Sequence, residues 1–213
     1  MRVQAFEKRG MSIIEDVGRI IADTHSPAEA LREVAALIAD RFFVDVCSIY
    51  VFDEDRNCLF LVATVGLNEE SVGRIRMNLD EGLTGLVLEG MTPVFVRDPA
   101  DHPRYKYFEG SGEEKYHSYL GLPLIYHGEV LGVLVIQTEE NAGIDESDIS
   151  IFQMIASQIA GEAAYVSFLR DLKKMSGDTG ATEPERLESQ TFDESRRVKK
   201  DLLKGIPVST GFG

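Results

Sequence analysis

Tyr116–Gln137, YHSYLGLPLIYHGEVLGVLVIQ, is the stretch that decides how this chain folds. Two apolar runs, Tyr119–Tyr126 and Val130–Ile136, are joined by His127-Gly128. β-Branched and aromatic residues on either side of a two-residue glycine turn predict a β-hairpin. The second run is apolar at successive positions rather than alternate ones, so it reads as a central strand covered on both faces. Gly132 in its middle weakens a strand and marks a point where a helix or ligand backbone comes close. Something must therefore pack against each side of the hairpin.

The segments upstream supply those layers. Met11, Ile14, Val17 or Gly18, and Ile21 fall at helical spacing and predict an amphipathic helix over 11–23. Ser26-Pro27-Ala28-Glu29 is a capping box with proline in the first turn, where a missing N–H costs nothing. It starts a second helix with Leu31, Val34, Ala35, Ile38 and Phe42 on one stripe. Val46–Phe52 and Cys58–Val65 read as another hairpin inside a two-sided sheet. Asn68–Arg74 suits a short helix, Ile75–Leu79 a short edge strand, Leu83–Glu89 a short helix closed by Gly90, and Pro93–Val96 a further edge strand. Arg97–Ser118 is the longest irregular piece, and loops of this length in a small domain are usually lids or binding loops.

Beyond the hairpin, residues 145–175 carry an apolar seam at Ile149, Phe152, Ile155, Ile159, Ala163, Val166, Leu169 and Leu172. Such a helix runs ~45 Å at 1.5 Å per residue, longer than a small domain is wide. Its far end is expected either to join a helical dimer seam or to fray. Residues 176–193 are acidic and aperiodic, predicting a linker, and 194–204 a short charged helix. The chain closes on the apolar, glycine-punctuated stretch 205–213, from which a longer protein is expected. The expected organisation is a domain over 1–175, a linker over 176–193, and the entry to a further domain over 194–213.

Composition narrows the function classes. Apolar residues make up 44% of the 213, ample for a core, and the formal net charge is −14. That charge argues against nucleic acid, which needs a basic footprint. The absence of a long apolar run argues against a membrane span, and the absence of a secretory leader argues for the cytoplasm. Cys47 and Cys58 are too few for a disulfide framework or a zinc cluster, and their places in the hairpin predict two separate buried thiols. His102 and His117 flank the long loop without a third ligand at metal-binding spacing, so no metal or cofactor is expected.

Together these elements predict an α+β fold. Its mostly antiparallel central sheet has the long helices on one face and short helices and loops over the other, where a pocket would form. The phrases DEGLTGLVLEGMTPVFVRDPADHPRY and EKYHSYLGLPLIYHGEVLGVLVIQ resemble a GAF domain, the sensory module at the front of nitrogen-type phosphotransferase-system enzyme I. The terminal LLKGIPVSTGFG is similar to the entry to that family's phosphohistidine domain, with Thr210 where proline is often found. The resemblance implies a regulatory domain that senses nitrogen status, through glutamine or a related amino acid, and controls a phosphoenolpyruvate–protein phosphotransferase. It implies that magnesium and a phosphocarrier protein belong only to the catalytic part, which is not in this sequence.

The residues themselves offer candidate contacts for an amino acid. Thr84, at the start of a short helix, would present a hydroxyl and free N–H groups to a carboxylate, unless it is an ordinary cap. Arg97 and Asp98, at the end of an edge strand, would pair with carboxylate and ammonium, unless they form a surface salt bridge. Tyr105, Tyr107, Phe108 and Tyr116 would line a lid or form the loop's own small core. Ser118 and Tyr119, where the loop returns to the sheet, complete the set. A homodimer through the terminal helices is expected as partner. Two other functions stay open on the sequence: a structural docking domain without ligand, and a thiol reductase of free methionine sulfoxide, which needs low-pKa cysteines in an open pocket.

Overall fold

The computed structural model describes residues 2–107, 115–139 and 144–175. Helices α1 (Arg2–Asp23) and α2 (Pro27–Phe42) lead into strands β1 (Val46–Asp53) and β2 (Cys58–Val65). A 3-10 turn (Glu69–Ser71), β3 (Arg76–Asn78), α3 (Gly82–Gly90), β4 (Val94–Arg97) and a second 3-10 turn (Pro99–Asp101) follow. Strands β5 (Ser118–Tyr126) and β6 (Glu129–Thr138) and the long helix α4 (Glu146–Met175) complete the described chain. All of these elements belong to one compact unit, Met1–Gly177. Phe108, the residues after Met175, and with them the expected linker and terminal entry segment, lie outside the described residues.

The sheet has six strands in the order β3-β2-β1-β6-β5-β4, and every adjacent pair is antiparallel. Strand β6 sits in its interior between β1 and β5, as its unbroken apolar run requires. His127 and Gly128, with φ of 51° and 87°, are both left-handed, the backbone that a two-residue hairpin needs to match strand twist. Gly132 does mark a close approach, but the neighbour is a strand rather than a helix or ligand. A Cβ there would stand 2.1 Å from the Tyr50 carbonyl oxygen of β1.

Strand alternation sorts the core into two layers. On one face, Cys47, Ile49 and Val51 of β1, Leu120, Leu122 and Leu124 of β5, and Leu134 and Ile136 of β6 pack under α1, α2 and α4. On the other, Tyr50, Leu59, Leu61, Met77, Tyr119, Val133 and Val135 meet Leu83 and Val87 of α3. Burying an aliphatic side chain contributes ~1.5–3 kcal/mol, so the larger helix-covered layer dominates stability. Ser26 caps α2 as its spacing predicts, its Oγ accepting from Glu29 N at 3.1 Å.

Two helices differ from expectation. α1 begins at Arg2 rather than near residue 11, and its packed face is set by Ile13 and Val17, with Met11 exposed. The seam of α4 is largely consumed within this one chain, by the sheet together with α1 and α2: Phe152, Ile155, Ile159 and Ala163 are fully buried. Toward its C-terminal end α4 leaves uncovered Leu172, the last residue of the predicted seam, together with Tyr165 and Phe168, which are outside it.

Candidate functional site

The face of the sheet opposite the long helices is roofed by α3 and by the start of the long loop. Asn78–Glu81 sets the entry to α3. Glu81 sits at the N-cap but makes no side-chain bond to the helix; instead its carboxylate accepts from Asn78 Nδ2 at 2.7 Å and from Asn78 N at 3.2 Å. Lys106 reaches the same carboxylate at 2.6 Å, and this hydrogen bond, followed by those from Asn78, holds the Glu81 carboxyl below the usual range. Arg104 grips both ends of α3: its Nη2 donates to the Asp80 carbonyl at 2.8 Å and to Glu89 at 2.9 Å. The Arg104 bonds lower the Glu89 carboxyl, and Glu89 in turn raises the guanidinium. Loop residues 104–106 are thus pinned over the helix start by ion pairs at the surface.

Beneath that roof lies a small cleft. Its floor is Tyr50, Tyr119, Val135 and Gln137 of the sheet; its walls are Met77 and the first turn of α3, Gly82-Leu83-Thr84; its cover is Pro99, Tyr105 and Lys106. Gly121 sets the depth, since a Cβ there would lie 2.6 Å from both Tyr119 Oη and Val87 Cγ2. Without that side chain, Tyr119 can lie along β5 and its hydroxyl can meet the buried Thr84 hydroxyl at 3.1 Å. The cleft's volume is about 30 Å³, room for about two water molecules.

Gln137 is the unusual member. It is 5% exposed, lies on the same face as Val133 and Val135, and pairs across the hairpin with Tyr119. Its carboxamide makes no hydrogen bond among the described residues, yet no polar side-chain atom there is both sealed from solvent and unpartnered. The carboxamide is therefore met only by the space of the cleft. Buried polar groups are normally hydrogen-bonded, and those left open call for a partner.

The structure brings Thr84, Tyr105 and Tyr119 together in this cleft and places the other sequence candidates elsewhere. Arg97 pairs with Ser118 in the β4–β5 ladder, on the face away from the cleft, and is exposed. Ser118 Oγ is bonded to Thr138 Oγ1 at 2.6 Å. Asp98 stands at the rim with φ 48°, its carboxylate 3.4 Å from His117 Nδ1, both half exposed. Tyr116 forms a third small core with Val46 and Leu67 and donates to the Gly66 carbonyl at 3.1 Å, fixing the loop's return. Burial pushes its hydroxyl pKa up. Tyr107 is exposed.

Tyr50, Met77, Gly82, Lys106 and Gln137 are cleft residues that the sequence reading passed over. The available signal for Gln137 was alternation, since it continues the Val133, Val135 series. No group of three potential metal ligands occurs among the described residues. Cys47 and Cys58 are free and buried, and burial alone pushes the Cys47 thiol well up, the reverse of what thiol catalysis needs. No helix among the described residues is long and apolar enough to cross a membrane.

Comparison with known proteins agrees with this architecture. Residues 24–161 match the family described as GAF domain. The chain is 37% identical over 132 residues to a protein described as "Phosphoenolpyruvate-dependent phosphotransferase system" from Escherichia coli, covering 62% of this chain and 18% of that one. It therefore spans under a fifth of that relative's length. The GAF domain from a phosphoenolpyruvate-protein phosphotransferase (ptsP) of Coxiella burnetii superposes with a TM-score of 0.70 at 32% identity, over 80% of this chain and 98% of that one. The GAF domain of the corresponding Acinetobacter enzyme gives 0.68 at 31% identity, over 76% and 97%.

Proposed function

This chain belongs to the GAF domain family, homologous to the GAF sensory domain of ptsP-type phosphoenolpyruvate–protein phosphotransferases, and from that premise we propose that it binds an amino acid, glutamine foremost, in the cleft between α3 and the sheet. Occupancy would regulate a phosphotransferase continuous with the C-terminal side of α4. In this reading magnesium and a phosphocarrier protein engage that catalytic part, and the cytoplasm is where the whole operates.

The observation that carries the proposal is the open carboxamide of Gln137. An amide side chain offers one acceptor and two donors, so its natural complement is another amide, which pairs with it through two opposed hydrogen bonds. The ligand's carboxylate suits the first turn of α3, whose N–H groups have no side-chain cap, with the Lys106 ammonium beside it. The Thr84 and Tyr119 oxygens are acceptors for the ligand's ammonium. Asp98, at the rim with His117, reaches the ligand only if the loop moves.

Space for about two waters does not hold an amino acid, so entry requires the loop to lift from α3. Among the contacts that hold it, the ion pairs Arg104–Glu89 and Lys106–Glu81 are solvent-facing, and such pairs are individually weak, ~0–1 kcal/mol. A roof held in that way converts binding into a change of loop position. A thermal-shift screen of amino acids and nitrogen metabolites tests the proposal. Glutamine should raise the melting temperature in a concentration-dependent way, by mass action on the folded state. If no amino acid does so, the domain is a structural docking module.

The exposed stripe Tyr165, Phe168 and Leu172 supports a second, compatible element of the proposal, a homodimer through the terminal helices.

A further inference from the structure

Asp53 ends β1 on the helix-covered face, away from the cleft. Its side chain is 1% exposed, and a single oxygen, Oδ2, faces three guanidinium groups. Arg170 Nη2 of α4 stands at 2.8 Å, Arg76 Nη1 of β3 at 3.4 Å, and Arg56 Nη1 of the β1–β2 turn at 3.6 Å. The Arg170 guanidinium also lies over the Phe60 ring, 4.0 Å from its centroid.

Three positive charges thus meet one negative charge, in a chain whose net charge is −14. The surplus is unfavourable where it stands. Burial lowers the Arg170 pKa; Asp53 opposes that effect, while Arg76 and Arg56 add to it. No second carboxylate is among the groups acting on Arg170. The donors are also in surplus, since each guanidinium carries five N–H groups. Arg76 engages Asp53 and the Cys58 sulfur through Nη1 alone, and the other nitrogens of the three arginines have no hydrogen-bond partner among the described residues. Asp53 gathers the three arginines without neutralising them.

We propose that Arg56, Arg76 and Arg170 form a second ligand site, for a small oxyanion of the phosphate class, inorganic phosphate or a phosphomonoester. Such an anion carries ~1.5–2 negative charges near neutral pH, which matches the surplus, and arginine is the side chain suited to its oxygens. The site is separate from the cleft and stands or falls without it. It joins α4 to the far edge of the sheet, where Ser167 Oγ already donates to the Phe52 carbonyl at 3.3 Å. An anion across the three arginines ties the last turns of α4 to β3 and to the β1–β2 turn.

The test is calorimetric titration of inorganic phosphate into the whole 213-residue chain at low ionic strength, with sodium chloride at matched ionic strength as control. Saturable binding with one phosphate per chain is expected, weakened about tenfold by R56Q, which removes one charge-assisted contact. The Arg56 side chain is 57% exposed, so this variant keeps its fold, and circular dichroism should be unchanged. Phosphoserine distinguishes the sources: binding as tight as phosphate or tighter identifies a phosphomonoester site, and its exclusion identifies the free ion. Heat no greater than the chloride control, or undiminished affinity in R56Q, would overturn the proposal.

Discussion

Replacing Gln137 with leucine should stabilise the unliganded protein while removing its response to an amino acid. The reasoning is a balance of two terms. Gln137 is 5% exposed as a residue, and its carboxamide receives no hydrogen bond from the described residues. Leaving a buried polar group unpaired costs ~1–3 kcal/mol. The cleft admits about two waters, which offset part of that cost, so the lower end of the range applies. Leucine is close to glutamine in volume and would extend the apolar layer of Val133, Val135 and Leu83. A net gain of ~1 kcal/mol follows, and for a domain of this size that raises the melting temperature by ~2–4 °C. Differential scanning calorimetry on both proteins, each with and without glutamine, reads the two effects together. A Q137L protein that melts below the parent would show that the carboxamide is satisfied in the free state, and the argument for an open polar group would fail.

Other substitutions separate packing from association and chemistry. Ile159→Glu puts a charge into the fully buried layer under α4 and should cost upwards of ~4 kcal/mol, read by urea unfolding, whereas Phe168→Glu on the exposed stripe should leave stability within ~0.5 kcal/mol. If the chain dimerises through that stripe, light scattering should report a single-chain mass for Phe168→Glu and twice that mass for the parent. Gly121→Ala places a Cβ 2.6 Å from Tyr119 Oη and Val87 Cγ2, so it should part α3 from β5 and cost ~1–3 kcal/mol, with the near-ultraviolet tyrosine signal altered. Burial raises the Cys47 thiol in the folded state, so the native protein holds a proton that the unfolded chain releases above pH ~8.5. The contribution of Cys47 to stability should accordingly be intact below that pH and decline as pH rises above it, measured as the difference between the parent and Cys47→Ala. A flat difference between pH 8 and 10 would contradict it.

The fold was legible because its signals were local. A two-residue glycine turn between apolar runs, an unbroken apolar strand and a Ser-Pro cap each report on a few neighbouring residues, and β5–β6, the central position of β6 and the start of α2 follow from them. α1 was less legible: Met11 and Ile13 belong to overlapping helical stripes, and only the position of α4 decides which one is buried. The site needed long-range information of the same kind. In a strand apolar on both faces, sequence does not say which face carries Tyr50 or Tyr119. Gln137 closes an apolar run and reads as the strand's end, although β6 continues to Thr138. Arg97 follows the opposite logic. It stands at a strand end where pockets often open, but its register with Ser118 sends it to the other face.

Two-dimensional ¹H–¹⁵N NMR of the labelled chain, titrated with glutamine, tests the central claim most directly, because the Gln137 side-chain amide gives its own pair of signals. The account predicts saturable shifts of that pair together with the backbone amides of Gly82, Leu83 and Thr84, and little change at the buried helix-face positions Leu122 and Leu134. Shifts that never saturate, or that saturate while the Gln137 side chain and the first turn of α3 stay unmoved, would contradict it.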